Sequence, residues 1–101
     1  MKHMIRYKLK ADCVAENERL AAAVYRELEA QPPPGLHYAT FRLDDGVGFV
    51  HLVSYDEPGR SDALTGLASF KAFAAGIKDR CEEPPLRTEL HEIGSYRFFA
   101  S

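Results

Sequence analysis

The sequence predicts an α+β domain with four strands and two helices, in the order strand, helix, strand, strand, helix, strand. Polar and apolar residues alternate in four segments, whereas apolar residues recur every three or four positions in two others. An Asp-Gly pair between the second and third strands adds a hairpin signal. The predicted segments are, in chain order, 4–10, 14–30, 36–44, 47–55, 69–81 and 87–99.

The first strand and the first helix have the clearest patterns. Ile5, Tyr7 and Leu9 alternate with polar residues, as in a strand with one buried face. Asp12 stands where a helix N-cap belongs, and the helix after it has an apolar stripe that includes Leu20, Val24 and Leu28. Three consecutive prolines at 32–34 end that helix, because proline lacks a backbone donor and restricts the residue before it.

The Asp45-Gly46 pair predicts the register of the central hairpin. A two-residue type I′ turn there places Arg42 opposite Phe49 and Thr40 opposite His51. One face of the hairpin then carries a mixed set: Tyr38, Thr40, Arg42, Phe49, His51, Val53 and Tyr55. The other carries an apolar set, which we expect to pack beneath the helices: Ala39, Phe41, Leu43, Val50 and Leu52.

The second half of the chain begins with a predicted loop over 56–68, with a short helical turn at 63–66 and enough length to act as a lid. Ser69 is the predicted cap of the second helix, and Pro84-Pro85 is the predicted stop after it. The last strand carries a predicted bulge at Gly94.

The totals describe one small domain. The 101 residues suffice for a single core, so we predict one domain over 1–101. A net charge of −2 lacks the basic excess of a nucleic-acid-binding protein, and no apolar run approaches the roughly 20 residues of a membrane span. We therefore expect a cytoplasmic protein without nucleic-acid or membrane partners. The first residues could be a cloning remnant, so we assign no function before Ile5.

Assembly follows from the strand-to-helix ratio. Two helices cover one face of a four-stranded sheet, while several strands here carry apolar side chains on both faces. A second copy of the chain is the simplest cover for the other face, so we predict a homodimer. The mixed hairpin face is the one we expect the partner to cover.

The order of elements is the ferredoxin-like plan. Three segments, 38–42 (Tyr-Ala-Thr-Phe-Arg), 49–52 (Phe-Val-His-Leu) and 67–73 (Leu-Ala-Ser-Phe-Lys-Ala-Phe), resemble the dimeric α/β-barrel superfamily and, within it, the antibiotic-biosynthesis-monooxygenase-like domains. The resemblance implies a ferredoxin-like βαββαβ domain with a four-stranded antiparallel sheet, a homodimeric α/β barrel and a small-molecule cleft in each subunit. Haem-degrading members use an Asn, a Trp and a His in that cleft. This chain has no Trp and a single Asn, Asn17, so we do not carry that activity over.

The mixed hairpin face supplies the candidate catalytic residues. His51 is a tunable base, and Tyr38 and Arg42 are donors on the same predicted face, a set suited to orienting a phenolic or quinone-like molecule. The candidate substrate-binding residues are Thr40, Tyr55, Phe70 and Phe73. The alternatives are that His51 and Arg42 are hydrogen-bonded in a polar subunit interface, and that the two phenylalanines are ordinary core residues.

We expect neither a metal nor another cofactor. The four histidines lack the i, i+4 or His-x-His spacing that converges on one ion. Cys13 and Cys81 stand apart without a Cys-x-x-Cys spacing, so we predict free thiols. The sequence leaves two functional classes open. One is a cofactor-independent monooxygenase-like enzyme for a small aromatic molecule, and the other is a non-catalytic dimeric ligand-binding or interaction module.

Overall fold

A computed structural model describes residues 1–56 and 62–98. The strands are β1 (Lys2–Leu9), β2 (Leu36–Arg42), β3 (Gly48–Tyr55) and β4 (Cys81–Leu90). The helices are α1 (Val14–Ala30), α2 (Asp62–Thr65), α3 (Ala68–Ala75) and α4 (Ile77–Arg80), with a short 3-10 turn, Ala11–Cys13, ahead of α1. None of the helices in the described part of the chain has the length and apolar character of a membrane span.

The four strands form one antiparallel sheet in the spatial order β2-β3-β1-β4. Helices α1 and α3 pack against each other on one face of this sheet. The predicted ferredoxin-like α+β fold is therefore confirmed.

The helices cover the face opposite to the predicted one. Phe49, His51, Val53 and Tyr55 are all buried beneath the helices, whereas Phe41 on the other side of the hairpin is 45% exposed. We had predicted that the uniformly apolar set of hairpin residues, which includes Phe41, would pack beneath the helices. This prediction was wrong because the mixed set is larger and aromatic, and because its polar groups bond to one another rather than to water. We call the helix-covered side the inner face and the other side the outer face.

The central hairpin has the predicted register but a different turn. Arg42 pairs with Phe49, and Thr40 pairs with His51. The loop holds four residues rather than two, because the amide of Leu43 still donates to the carbonyl of Gly48. Within this loop only Gly46 has a positive φ, of 82°, so the turn is not type I′.

The helix starts differ from the predicted caps. Asp12 lies in the 3-10 turn and Cys13 is the N-cap of α1, with no side-chain capping bond. Ser69 lies inside α3 rather than before it. The capping acceptor is the Glu27 carboxylate of α1, whose Oε1 receives bonds from the Ser69 amide (3.0 Å) and hydroxyl (2.5 Å). These bonds lower the pKa of Glu27 and tie α1 to α3.

The predicted helix over 69–81 is broken at Gly76 into α3 and α4. The Arg80 side chain donates through Nη2 to the Phe73 carbonyl at 2.7 Å, near the end of α3. A Cβ atom at Gly76 would lie 3.1 Å from Nη1 of Arg80. Glycine at position 76 therefore makes room for the buried guanidinium.

The last strand begins and ends earlier than predicted, at Cys81 and Leu90 rather than at 87 and 99. It runs through Pro84-Pro85, where the pairing with β1 shifts register between Arg6 and Lys8. The predicted bulge at Gly94 lies outside the sheet, in a segment where Ile93 is fully exposed. Residues 57–61, in the predicted lid loop, and residue 99 lie outside the described residues.

Candidate functional site

A cleft of about 200 Å³ opens between the inner face of the sheet and the segment that carries α2, α3 and α4. Its wall is overwhelmingly aromatic and aliphatic, with few polar atoms exposed. The lining residues are His3, Ile5, Tyr7, Tyr38, His51, Val53, Tyr55, Leu64, Thr65, Phe70, Phe73, Ala74, Ile77 and Pro85. Clefts of this kind, apolar with a few convergent polar groups, are typical small-molecule sites.

His51 lies in the wall of this cleft, on the central strand β3. Its Nε2 is 2.7 Å from the Tyr7 hydroxyl, and its Nδ1 is 2.6 Å from the Tyr38 hydroxyl and 3.3 Å from the Thr40 hydroxyl. The Phe73 ring packs against the imidazole with its centroid 5.5 Å away. Alternation along β1, β2 and β3 points these groups to the same face, which is why they converge.

Burial changes the acid–base properties of the site. It lowers the pKa of His51 from 6.5 to about 4, so the imidazole is neutral at pH 7. It raises the pKa of Tyr7 to about 12 and also raises the pKa of Tyr38 above its usual range, so both hydroxyls keep their protons. The site at neutral pH is a neutral histidine held between two neutral phenols.

The hydrogen bonds extend from His51 in both directions. Beyond Tyr7, the Asn17 Nδ2 donates to the Tyr7 hydroxyl at 3.0 Å, and the Arg80 Nε donates to the Asn17 Oδ1 at 3.1 Å. On the other side, the Thr40 hydroxyl lies 2.7 Å from that of Tyr25, whose ring stacks on Tyr38. No buried side-chain nitrogen or oxygen of the described residues lacks a partner.

The structure brings together all but one of the residues predicted for the site. Tyr38, His51, Tyr55, Phe70 and Phe73 line the cleft, and Thr40 supports His51 from behind. Arg42 is the exception.

Arg42 is exposed at the end of β2, outside the cleft. Its Nη1 donates to the Glu18 Oε1 at 2.7 Å, so it pairs with α1 rather than with His51. The alternation of β2 puts it on the inner face, but it lies beyond the part of that face that borders the cleft.

The polar residues of the site that were not predicted include His3, Tyr7, Asn17 and Arg80. His3 lies within β1 and lines the cleft, although the sequence had suggested no role before Ile5. Asn17 was detectable, because it stands four residues before Ala21 on the buried stripe of α1 and is a polar residue in an apolar row. Arg80 falls seven residues after Phe73 on the stripe of the second predicted helix, a similar signal.

Two further observations concern ligands and thiols. Among the residues that the structure describes, no three His, Cys, Asp or Glu side chains cluster in a way that could hold a metal ion. Cys13 and Cys81 are free thiols, and burial raises the pKa of both.

Comparison with known proteins places the fold. No protein-family model matches the sequence, and no curated protein matches it. Solved structures match closely in shape. Rv0793 from Mycobacterium tuberculosis superposes with a TM-score of 0.76 at 18% identity, covering 93% of this chain and 95% of that one. An antibiotic biosynthesis monooxygenase superposes with a TM-score of 0.76 at 14% identity, over 92% of this chain and 98% of that one.

A third match is SnoaB, a cofactor-independent oxygenase from Streptomyces nogalater. It superposes with a TM-score of 0.70 at 13% identity, covering 95% of both chains. At these identities the likeness concerns the fold and not the active-site residues. The resemblance seen in the sequence is thus confirmed for architecture: this chain has the ferredoxin-like fold of the antibiotic-biosynthesis-monooxygenase-like proteins.

Proposed function

We propose that the chain is a monooxygenase-like enzyme that works without a cofactor on a small aromatic molecule. The observation that carries this proposal is the aromatic-lined cleft with His51 in its wall. The likeness to SnoaB and to an antibiotic biosynthesis monooxygenase supports the same class of reaction. An apolar cleft suits both an aromatic ring and molecular oxygen.

The reaction class can be balanced without an added reductant. An activated CH₂ group and O₂ give a carbonyl group and one molecule of water, and the substrate itself supplies all four electrons that reduce O₂, because one oxygen atom becomes the carbonyl oxygen and the other becomes water. The first step is removal of a proton from the substrate. His51 is neutral at pH 7 and is the candidate base, and Tyr38 is the candidate donor to a substrate oxygen.

The remaining cleft residues have binding roles in this proposal. Phe70, Phe73 and Tyr55 form walls for the aromatic ring, and Thr40 orients His51. Arg42 is not included, because it is paired with Glu18 outside the cleft.

A non-catalytic ligand-binding protein is the second candidate, and one observation favours it. Both ring nitrogens of His51 are already hydrogen-bonded to tyrosine hydroxyls. A ligand would have to replace one of these tyrosine hydroxyls as the hydrogen-bond partner of His51 before the imidazole could accept a proton from the ligand. The same cleft would then bind an aromatic molecule without transforming it.

The proposal includes a homodimer that closes the outer face of the sheet. That face carries apolar side chains from three strands, among them Phe41, Val50, Leu52 and Met4, and Leu86 of β4 is 67% exposed. Arg6 and Lys8 of β1 lie on the same face beside these apolar side chains. Apolar side chains on a sheet face without helices favour association, and a second copy offers a matching surface.

Ligand binding and oxygen uptake distinguish the two functional candidates. The purified chain would be titrated with a panel of hydroquinones and anthrone by calorimetry, and oxygen consumption would be followed with an electrode. Binding together with oxygen uptake above background supports the enzyme. Binding without uptake supports the ligand-binding protein, and the absence of both contradicts the assignment of the cleft.

A matched pair of variants connects the result to the cleft. His51→Gln removes the candidate base and should lower the rate of oxygen uptake by about 100-fold or more, in keeping with general acid–base catalysis. His37→Gln makes the same change at a histidine on the outer face of β2 and should leave the rate unchanged. Equal rates in the two variants would remove His51 from the mechanism.

A further inference from the structure

The hydrogen-bonded chain through His51 has a fixed donor direction. We infer that Arg80, acting through Asn17 and Tyr7, is a positioning residue that holds His51 in the tautomer protonated on Nδ1. This inference concerns the same site as the proposed function, but it depends on neither a ligand nor a reaction. It can be read from the order of donors and acceptors between Arg80 and Tyr38.

The order begins at Arg80 because a guanidinium can only donate. Its Nε donates to Asn17, so the amide oxygen of Asn17 must face Arg80 and the amide nitrogen must face Tyr7. Arg80 itself is held by the Phe73 carbonyl and lies 5.2 Å from the centre of the Phe73 ring. Asn17 is fully buried, so a flipped amide would bring buried donors face to face.

Tyr7 continues the same donor-to-acceptor order toward His51. Its hydroxyl oxygen accepts from Asn17, and its single hydrogen is directed to the His51 Nε2 at 2.7 Å. Tyr7 is buried, and no other acceptor contacts its hydroxyl among the described residues. If Nε2 carried the proton instead, the Tyr7 hydrogen would be buried without an acceptor, which is costly.

His51 is therefore an acceptor at Nε2. A neutral imidazole has one donor and one acceptor, so its hydrogen lies on Nδ1 and is donated to the Tyr38 hydroxyl oxygen at 2.6 Å. In water a histidine side chain favours the other tautomer, with the hydrogen on Nε2. The consequence for the cleft is that Tyr38 receives a hydrogen bond from His51, which leaves its own hydrogen for Thr40 or for a bound ligand.

The first test is the tautomer itself. The ligand-free chain with ¹⁵N-labelled histidine would be examined at pH 7 by long-range ¹H–¹⁵N correlation, and the His51 signals assigned by their loss in His51→Gln. We expect Nε2 to show the shift of an unprotonated nitrogen and Nδ1 that of a protonated one. The opposite pattern in the wild-type chain would overturn the inference.

The second test reverses the donor direction of these hydrogen bonds with a nearly isosteric substitution. In Asn17→Asp the carboxylate can only accept, from Arg80 on one side and from Tyr7 on the other. Tyr7 must then accept from His51, so the His51 hydrogen should move to Nε2. Glu16→Gln, an acid–amide exchange on the exposed side of α1, is the control and should leave the tautomer on Nδ1.

The outcomes are separable from those of the proposed function. A folded Asn17→Asp chain with His51 still protonated on Nδ1 would contradict the role of Arg80 and Asn17, since a purely structural role predicts no change of tautomer. If Asn17→Asp does not fold, the wild-type spectrum alone tests the inference, through the position of the hydrogen on His51. Neither spectrum depends on oxygen uptake, so each inference can fail without the other.

Discussion

At the scale of single residues, the most informative group is His51, a buried histidine without a carboxylate partner among its hydrogen bonds. Its partners are two phenols and the Thr40 hydroxyl. Phenols can donate to a neutral imidazole, but they do little to stabilise an imidazolium in a dry site. The site therefore favours a neutral base over a charged one, which agrees with the lowered pKa.

This environment predicts a pH-dependent stability. The unfolded chain protonates a histidine near pH 6.5, whereas folded His51 has a pKa of about 4, so the unfolded state binds more protons between these values. The free energy of unfolding should therefore decrease as the pH falls from 6.5 to 4, by about 3 kcal/mol from His51 alone.

Urea denaturation of the wild-type chain and of His51→Gln at pH 7 and pH 4 would measure this effect. The variant should lose less stability between the two pH values, and the difference between the two losses is the contribution of His51. Equal losses would show that His51 takes up its proton normally in the folded chain.

At the scale of elements, the central hairpin shows how a turn is fixed by one backbone conformation and one side chain. Asp45 accepts through Oδ1 from the amides of Val47 (3.0 Å) and Gly48 (2.7 Å), and these bonds lower the pKa of Asp45. Gly46, between Asp45 and Val47, has the positive φ that reverses the direction of the backbone.

Gly46→Ala should destabilise the fold by roughly 1 kcal/mol, because a residue with a Cβ atom is strained at this φ although the space around it is open. Gly94→Ala is the control, since Gly94 also has open space but no positive φ, and its stability should be unchanged. Chemical denaturation of both variants checks this, and equal stabilities would contradict the conformational explanation.

The hairpin and α1 also show how far the sequence predicts the elements. The bounds predicted for α1 match Val14–Ala30, because the periodicity is strong and three prolines follow it. The hairpin register is also confirmed, because a two-residue and a four-residue loop centred on Asp45-Gly46 pair the same residues. Both results depend on local chemistry, which a sequence displays directly.

Some features that the sequence did not predict depend on non-local contacts. The choice of inner face was wrong because His51 and Thr40 look polar in isolation, and their hydrogen bonding is completed by Tyr7 and Tyr25, which are distant in sequence. The break at Gly76 is a local feature that was missed: Gly76 leaves room for the side chain of Arg80, four residues later. The cleft itself was anticipated, since all its predicted members except Arg42 lie in it or beside it.

At the scale of the whole molecule, the outer face determines the expected assembly. Phe49 belongs to the mixed hairpin face that we expected a partner to cover, but it is 2% exposed beneath the helices, so Phe49→Asp should unfold the chain. Phe41 is the appropriate position, because it is exposed on the outer face.

Phe41→Glu should raise the dissociation constant of the dimer by on the order of 100-fold while the fold is retained, since a carboxylate would have to be buried among apolar side chains of the outer face. Ala72→Glu, on the exposed side of α3, is the control and should leave the dimer intact. Sedimentation velocity at micromolar concentration is the measurement. A wild-type monomer, or a Phe41→Glu dimer of unchanged affinity, would contradict assembly through this face.

The irregular pairing of β4 has a consequence for how copies of the chain can meet. β4 is an edge of the sheet, and Pro84 and Pro85 lack the amide hydrogens that a further strand would need as donors. The register shift beside them also interrupts the straight row of carbonyls and amides that strand addition requires. Growth into a continuous ribbon of sheets is blocked on this side, so association by stacking of faces is favoured over association by extension of edges.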